Sequence, residues 1–352
     1  MPHVATNMEQ FMSKMLGDMG AVINGALVLI GDKLGLYRAL AEHGPLTADQ
    51  LAEKSGTAPR FVREWLAAQA ASGYVMYDAG SGEFSMSDEQ VAALADERSP
   101  FCVVGAFEVA ASTYKDEPKI TAAFRSGQGV GWHEHSQCLF RGTERFFRSG
   151  YAAHLVDEWL PALEGVVEKL NRGARVADVG CGHGASTILM AKAFPQSSFI
   201  GFDYHDASVA RAREAAREAG VSGHCRFEVA AAKDFPGDDY DLVAFFDCLH
   251  DLGDPAGAAA HVRETLAADG TWMVVEPFAN DTLEANLNPV GRIFYAASTM
   301  VCVPASLSQE VGAALGAQAG ETRLREVIQS GGFTRFRRAT ATPFNLVLEA
   351  RP

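Results

Sequence analysis

The stretch VADVGCGHGAST, residues 176–187, sets three glycines at alternate positions directly behind a short apolar run. An apolar run that ends in glycines and passes into ASTILMAKAF reads as strand, tight turn and helix. Glycine spacing alone does not name the ligand, because Gly180, Gly182 and Ala185 also satisfy the dinucleotide pattern G-x-G-x-x-G/A. The surrounding residues have to decide between a phosphate and something positively charged.

Outward from this loop the chain alternates strand and helix. Strands are expected at RVADVG (175–180), SFIGFD (198–203), CRFEVA (225–230), YDLVAFF (240–246) and TWMVVEP (271–277). Helices are expected at 185–194, 207–220 and 255–269. Short apolar strands with helices between them make a parallel doubly wound sheet. The ending differs: TRFRRATA (334–341) and NLVLEARP (345–352) are joined by Thr-Pro-Phe alone. That is too short for a crossover helix, so the last pair is expected to be antiparallel. The long connection 278–320, with GRIFYAASTMVCVP (291–304) inside it, reads as a lid or pocket wall.

Ahead of the sheet, residues 1–20 read as a Met-rich amphipathic helix or arm. One helix is expected over 23–44, a second over 46–56 opened by Thr47 and Gln50, and a third over 57–73 opened by Thr57. YVMYDAGSGEFSMS (74–87) alternates around a Gly/Ser turn, as a two-stranded wing does. Three helices and a wing make a winged-helix, dimerisation-like domain over 1–95. A helical linker and active-site cover follows over 96–170, and the sheet domain occupies 171–352.

The whole chain sets the bounds. Its 352 residues are 48% hydrophobic and 21% charged, with a formal net charge of −14. An acidic surface repels phosphate backbones, so no nucleic-acid partner is expected. The apolar stretch 19–31 is read as too short to cross a bilayer, and no basic leader precedes it, so neither a membrane span nor a signal peptide is expected. Six scattered cysteines without C-x-x-C pairs suit a reducing cytoplasm and give neither a disulfide framework nor a zinc pattern. In GWHEHSQC (131–138), alternating ligand types without a partner cluster lead to no metal assignment, and His135 is read as lining the entrance and touching substrate.

Asp178 is the informative neighbour of the glycines. A carboxylate repels a diphosphate, whereas at about 4 Å it attracts a sulfonium or ammonium by several kcal/mol at an effective dielectric of about 20. Asp203, ending the second strand, can accept hydrogen bonds from both hydroxyls of a ribose. Acid, glycine loop, strand and acid together describe a cationic nucleoside without phosphates, with a flavin or nicotinamide fold as the alternative.

At this point residues 173–352 resemble the class I S-adenosylmethionine-dependent methyltransferases, including their antiparallel final hairpin. The resemblance implies a seven-stranded Rossmann-like α/β sheet with S-adenosylmethionine as cofactor and S-adenosylhomocysteine as product. It implies that Asp178, Gly180, Cys181 and Gly182 hold the methionine part and Asp203 the ribose, with Tyr204 and Asp247 in the same binding set. The family usually has an acid after the third strand; Ala231 stands there in VAAAKDF, so Ala232, Lys233 or Asp234 would serve at the adenine. In ERFFRSGYAAHL, Phe146, Phe147 and Tyr151 would lie over the cofactor, where aromatic faces attract a sulfonium, or would pack the domain junction.

FFDCLHDLGDP (245–255) further resembles the plant-type small-molecule O-methyltransferases, whose histidine at this place removes the acceptor's proton. Carried over, His250 is the general base, since an unperturbed imidazole has a pKa near neutrality, beside Asp251, which could equally cap the next helix. Glu276 in VVEP would orient His250 and stabilise its imidazolium. Phe294 and Tyr295 would wall the acceptor pocket, with Met300 nearby. The expected function is methyl transfer to a small molecule, most directly to a hydroxyl oxygen, with a thiol or carbon acid as alternatives and a homodimer formed through the first domain. A regulator that senses the cofactor and binds DNA is the reading from another class. Against it, the helix at 57–73 offers only Arg60 and Arg63 near its start, opposed by Glu64, and the wing is acidic.

Overall fold

The computed structural model describes residues 7–352, and its contacts group them into two units. The first takes the described residues up to Lys115 together with Ser136–Gly150; the second takes Asp116–His135 and Tyr151–Pro352. The stretch 96–170, read from sequence as one helical linker, is therefore shared between both.

In the first unit, helices span Met8–Lys33, Leu36–His43, Ala48–Ser55 and Pro59–Ala71. The single helix expected over 23–44 is broken because Gly35 adopts φ +70, a left-handed conformation that suits glycine and stops one helix before the next begins. The reading of 1–20 holds as helix from Met8 onward; its residues 1–6 lie outside the described residues. Thr47 and Gln50 form the expected capping box. Thr57 is not a cap: Ala58 occupies that position without a side-chain bond, and Pro59 starts the helix with its φ already set. The wing forms from β1 (Met76–Asp78) and β2 (Glu83–Ser85), antiparallel with Met76 opposite Ser85. The apolar stretch 19–31 belongs to a helix of 26 residues, longer than the sequence reading took it to be. This helix and the run Pro289–Leu307 are, by length and composition only, long and apolar enough to cross a membrane.

The second unit is built on β3 (Arg175–Val179), β4 (Ser198–Asp203), β5 (Cys225–Val229), β6 (Tyr240–Phe246), β7 (Leu266–Pro277), β8 (Arg335–Ala341) and β9 (Asn345–Arg351). The sheet order is β5-β4-β3-β6-β7-β9-β8. Strands β3 to β7 are parallel, and β9 runs antiparallel to both β7 and β8. The final hairpin thus enters the sheet with its second strand innermost, because NLVLEA is apolar enough to be buried on both faces while β8 carries Arg335, Arg337 and Arg338 at the edge. β7 begins at Leu266 rather than at Thr271, so the preceding helix stops at Thr265. A register shift between Tyr240 and Leu242 accommodates the extra residues. Strand order reverses beside β3, which has β4 on one side and β6 on the other, opening a crevice at the carboxyl ends of these strands. The core beneath it is aromatic, with Phe202, Phe245, Trp272 and Phe333 buried together.

The connection expected to be a lid or wall contains helices Leu283–Asn286, Pro289–Ala297 and Val303–Leu307, with a π-helical turn at Ser298–Cys302. It is fastened to the loop after β6. Ser306 Oγ donates to Leu252 O at 2.7 Å, Gln309 Nε2 donates to Asp251 O at 2.9 Å, and Gly316 N donates to His250 O at 3.3 Å.

Candidate active site

The turn after β3 lies at the carboxyl end of that strand. Gly180, Gly182 and Gly184 all have positive φ, at +75, +52 and +82. They differ in what a side chain would meet. A Cβ on Gly180 would lie 2.7 Å from Cys248 Sγ, and one on Gly184 would lie 2.6 Å from the Phe227 ring, whereas Gly182 faces open space. Two of the glycines therefore serve close packing, and Gly182 leaves room on the crevice side.

Asp178 is fully buried at the end of β3. Its Oδ2 accepts from Ser186 Oγ and Thr187 Oγ1, both at 2.6 Å, while Oδ1 is buried with no hydrogen-bond partner. Burial pushes its pKa up to about 6, against the lowering effect of the two hydroxyls. A buried carboxylate oxygen without a donor is a costly arrangement that a cationic or hydrogen-bonding ligand would relieve. Ser186 and Thr187 went unread in the sequence, although hydroxyls opening a helix directly behind an acid were the available signal.

Asp203 ties the crevice together. Its Oδ2 accepts from Gly182 N at 3.0 Å and its Oδ1 from His205 N at 2.9 Å. Burial raises its pKa, opposed by these amide bonds. Tyr204 follows, half exposed, with its ring edge-on to His133 at 6.5 Å. Asp247, at the end of β6, has φ +51, a conformation uncommon outside glycine, asparagine and aspartate. Tyr151 OH donates to its Oδ2 at 2.8 Å and Asn345 Nδ2 donates to its Oδ1 at 2.9 Å. Burial, reinforced by the Glu276 charge, pushes its pKa up to about 8, so the carboxyl is mostly protonated near neutrality. Ala232 packs partly buried on the core, whereas Lys233 points to Asp254 at 3.3 Å and Glu310 at 3.0 Å. Phe147 belongs to the first unit, where its ring meets Phe146 at 5.2 Å.

His250 and Glu276 are brought together as a buried pair. His250 Nδ1 lies 2.5 Å from Glu276 Oε2, and Glu276 Oε1 accepts from Leu249 N at 2.9 Å. On the other side, His250 Nε2 lies 3.1 Å from Asp251 Oδ1. Burial works against charge on this ring, yet Glu276 and then Asp251 outweigh it and hold the pKa well above the ordinary histidine value. The ring is thus displaced upward from the near-neutral pKa of an unperturbed histidine, because two carboxylates flank it. Asp251 does not cap the following helix, which Asp254 caps through Gly257 N. His135 sits apart from this pair in sequence, with a 1% exposed side chain and Nδ1 3.2 Å from Asp116 Oδ2. Its pKa is lowered by burial and its Nε2 is buried without a hydrogen-bond partner. Phe294 is buried with Cys302 and Ala317, and Tyr295 is half-buried on the same helix.

The loop geometry links the two halves of the crevice. Cys248, two residues before His250, lies against Gly180 and its Sγ is 3.3 Å from Val179 O. Residues 170–332 match a family model described as a methyltransferase domain. The chain carries a methyltransferase domain. Residues 23–96 match a second model, an Rv2258c-like winged HTH domain, so a winged-helix domain precedes the methyltransferase domain. Cycloartenol-C-24-methyltransferase 1 of Oryza sativa subsp. japonica is 29% identical over 158 residues, covering 44% of either chain. A trans-aconitate 2-methyltransferase of Variovorax paradoxus is 43% identical, covering 36% of this chain and 56% of that one. The chain spans about half the length, or less, of the curated relatives it matches. The human N-acetylserotonin methyltransferase, solved in complex with SAM, superposes with a TM-score of 0.71 at 15% identity, covering 99% of both chains. That likeness is one of fold, and it is the fold class expected from sequence: a seven-stranded methyltransferase sheet with an antiparallel last pair behind a winged helix.

Proposed function

We propose that this protein transfers a methyl group from S-adenosylmethionine to a hydroxyl oxygen of a small-molecule acceptor. The observation that carries the reading is the buried His250–Glu276 pair at 2.5 Å, on the loop that packs against the glycine turn. The residues present fit the cofactor: Gly182 leaves open space, Asp178 keeps an unpartnered buried oxygen, and Asp203 offers carboxylate lone pairs beside the same turn. When bound, S-adenosylmethionine supplies an electrophilic methyl group on a sulfonium leaving group. Asp178 and the turn at 180–182 hold its amino-acid end, and Asp203 accepts from its ribose.

The chain's own chemistry is then alignment and proton removal. His250 takes the acceptor's proton on Nε2, while Glu276 fixes the ring through Nδ1 and stabilises the charge it gains. Because the ring favours its protonated form, the neutral base becomes populated only as pH rises, so kcat/KM is expected to climb on the alkaline side of neutrality. The insertion, fastened by Ser306, Gln309 and Gly316, keeps water from the loop that carries His250. A methyl-transfer screen with labelled cofactor against phenols, thiols and carboxylic acids tests the reading; label in thiols alone would overturn the oxygen acceptor.

Cofactor binding should carry its own pH signature. A cation beside Asp178 favours the carboxylate, so its pKa falls on binding. Affinity is then constant above about pH 6 and declines as pH falls through that value, by up to about tenfold per pH unit. Calorimetry from pH 5 to pH 8 checks this, and a flat profile would remove Asp178 from the binding set.

The winged-helix domain serves, on this proposal, as a dimerisation surface and not as a DNA reader. The cations of its helix Pro59–Ala71 are already offset: Arg60 pairs with Glu64 at 2.5 Å and Arg63 with Asp49 at 3.3 Å. Salt-sensitive duplex binding in a low-salt filter assay would revive the regulator.

A further inference from the structure

Beside the proposed base His250 lie two side chains, Asp251 and Cys302, that the proton transfer assigned to it does not use. One nitrogen of His250, a carboxylate oxygen of Asp251 and the Sγ of Cys302 all lie within 4.8 Å of one another. His250 and Cys302 are buried, and Cys302 reaches the group from the π-helical turn of the insertion. We propose that these three side chains bind a zinc-class transition-metal ion.

Three observations carry the proposal. First, Asp251 Oδ1 is buried and makes no hydrogen bond, although it stands only 3.1 Å from His250 Nε2. Two polar atoms at that distance without hydrogen-bond alignment are directed past one another, as ligands converging on a common centre are. Zinc–nitrogen and zinc–oxygen bonds of about 2.0–2.2 Å at a tetrahedral angle set the two atoms roughly 3.3 Å apart, close to what is observed. Second, the other ring nitrogen is already held by Glu276 at 2.5 Å, the outer carboxylate that fixes the tautomer of a metal-binding histidine. Third, the ligands are pre-positioned by hydrogen bonds from the insertion to the backbone carbonyls of residues 250–253: Gly316 N to His250 O, Gln309 Nε2 to Asp251 O, Ser306 Oγ to Leu252 O and Ala313 N to Gly253 O at 2.8 Å.

The donor set selects the ion. One thiolate, one imidazole and one carboxylate suit zinc or cobalt, whereas magnesium and calcium require oxygen donors. Three protein ligands leave a fourth position for water or another donor, as in zinc sites that are not purely structural. The sequence offers no such pattern, since 50 residues separate Asp251 from Cys302 and only the folded insertion closes the gap.

Binding deprotonates the Cys302 thiol, whose proton passes to solvent, and occupies His250 Nε2. That nitrogen is the one assigned to the acceptor's proton, so metal and acceptor compete for it and the loaded protein is a resting form. This last consequence rests on the proposed role of His250; the site itself does not.

The test is a titration of the metal-stripped protein with cobalt(II), without cofactor or acceptor. One equivalent is expected to produce the visible bands of a tetrahedral ion together with a thiolate-to-cobalt charge-transfer band. Cys302→Ser, nearly isosteric, should abolish the charge-transfer band, and Asp251→Asn should weaken binding by roughly tenfold to 100-fold. Zinc should displace the cobalt and quench both features. No spectral change in a protein that still binds S-adenosylmethionine by calorimetry would overturn the metal site alone. An unchanged charge-transfer band in Cys302→Ser would do the same. Loss of cofactor binding in the unmodified protein would instead overturn the proposed function.

Discussion

Replacing His250 with alanine is expected to lower turnover by about 100-fold or more while leaving the affinity for S-adenosylmethionine nearly unchanged. The size follows from losing the imidazole paired with Glu276, and the split follows from placement: His250 lies beyond β6, whereas the cofactor is assigned to the ends of β3 and β4. Alanine also strips the counter-charge from two carboxylates, Glu276 at 2.5 Å and Asp251 at 3.1 Å, which costs about 3–5 kcal/mol when a buried pair is broken. Loss of activity through unfolding is therefore separated from loss of the base by a second variant. His250→Asn keeps a polar side chain, and its melting temperature is to be measured beside its rate.

Glu276→Gln provides the companion result. It removes the leading charge that holds the His250 pKa up, so the rise of kcat/KM with pH should move to lower pH even as its plateau drops. The sign is fixed by linkage. A histidine whose folded pKa is raised adds stability below its unfolded value near 6.5 and loses that stability as pH rises through the folded value. Glu276→Gln should accordingly cost stability most at acid pH. A rate profile unmoved by this substitution would mean that His250 does not titrate in the rate-limiting step.

What could be read in advance divides along a physical line. Local rules placed the strands, the Thr47–Gln50 box and the wing, because apolar runs, caps and Gly/Ser turns act over a few residues. The placing of Glu276 beside His250 came from the family resemblance and not from a local rule, and the direct pairing of β6 with β7 sets the two at neighbouring strand ends. Long-range effects were out of reach. The shift of His250 comes first from Glu276 and then from Asp251 3.1 Å from its ring nitrogen, and the bond from Asn345 to Asp247 depends on β9 lying next to β7. Gly35 shows a third case. The apolar period runs straight through it, and periodicity cannot register a left-handed residue. The same limit hid Cys302, whose neighbours come from another part of the chain.

Removing the Asp203 carboxylate should have the largest effect on binding. Asp203→Ala is expected to weaken S-adenosylmethionine by about 100-fold or more, since hydrogen bonds to a charged acceptor contribute about 1.5–3 kcal/mol each and a ribose presents two hydroxyls. A second loss compounds the first. The carboxylate accepts from Gly182 N at 3.0 Å and His205 N at 2.9 Å, so alanine leaves both amides without their acceptor and frees the turn that faces the cofactor. Asp203→Asn separates the two contributions: its single carbonyl oxygen can keep one amide, while its NH2 cannot accept from a hydroxyl, so it should bind more tightly than alanine and less tightly than the parent. Isothermal calorimetry with S-adenosylhomocysteine, free of turnover, is the measurement. If alanine retained full affinity, the sugar would have to be held elsewhere, and the open face of Gly182 would lose its assigned occupant.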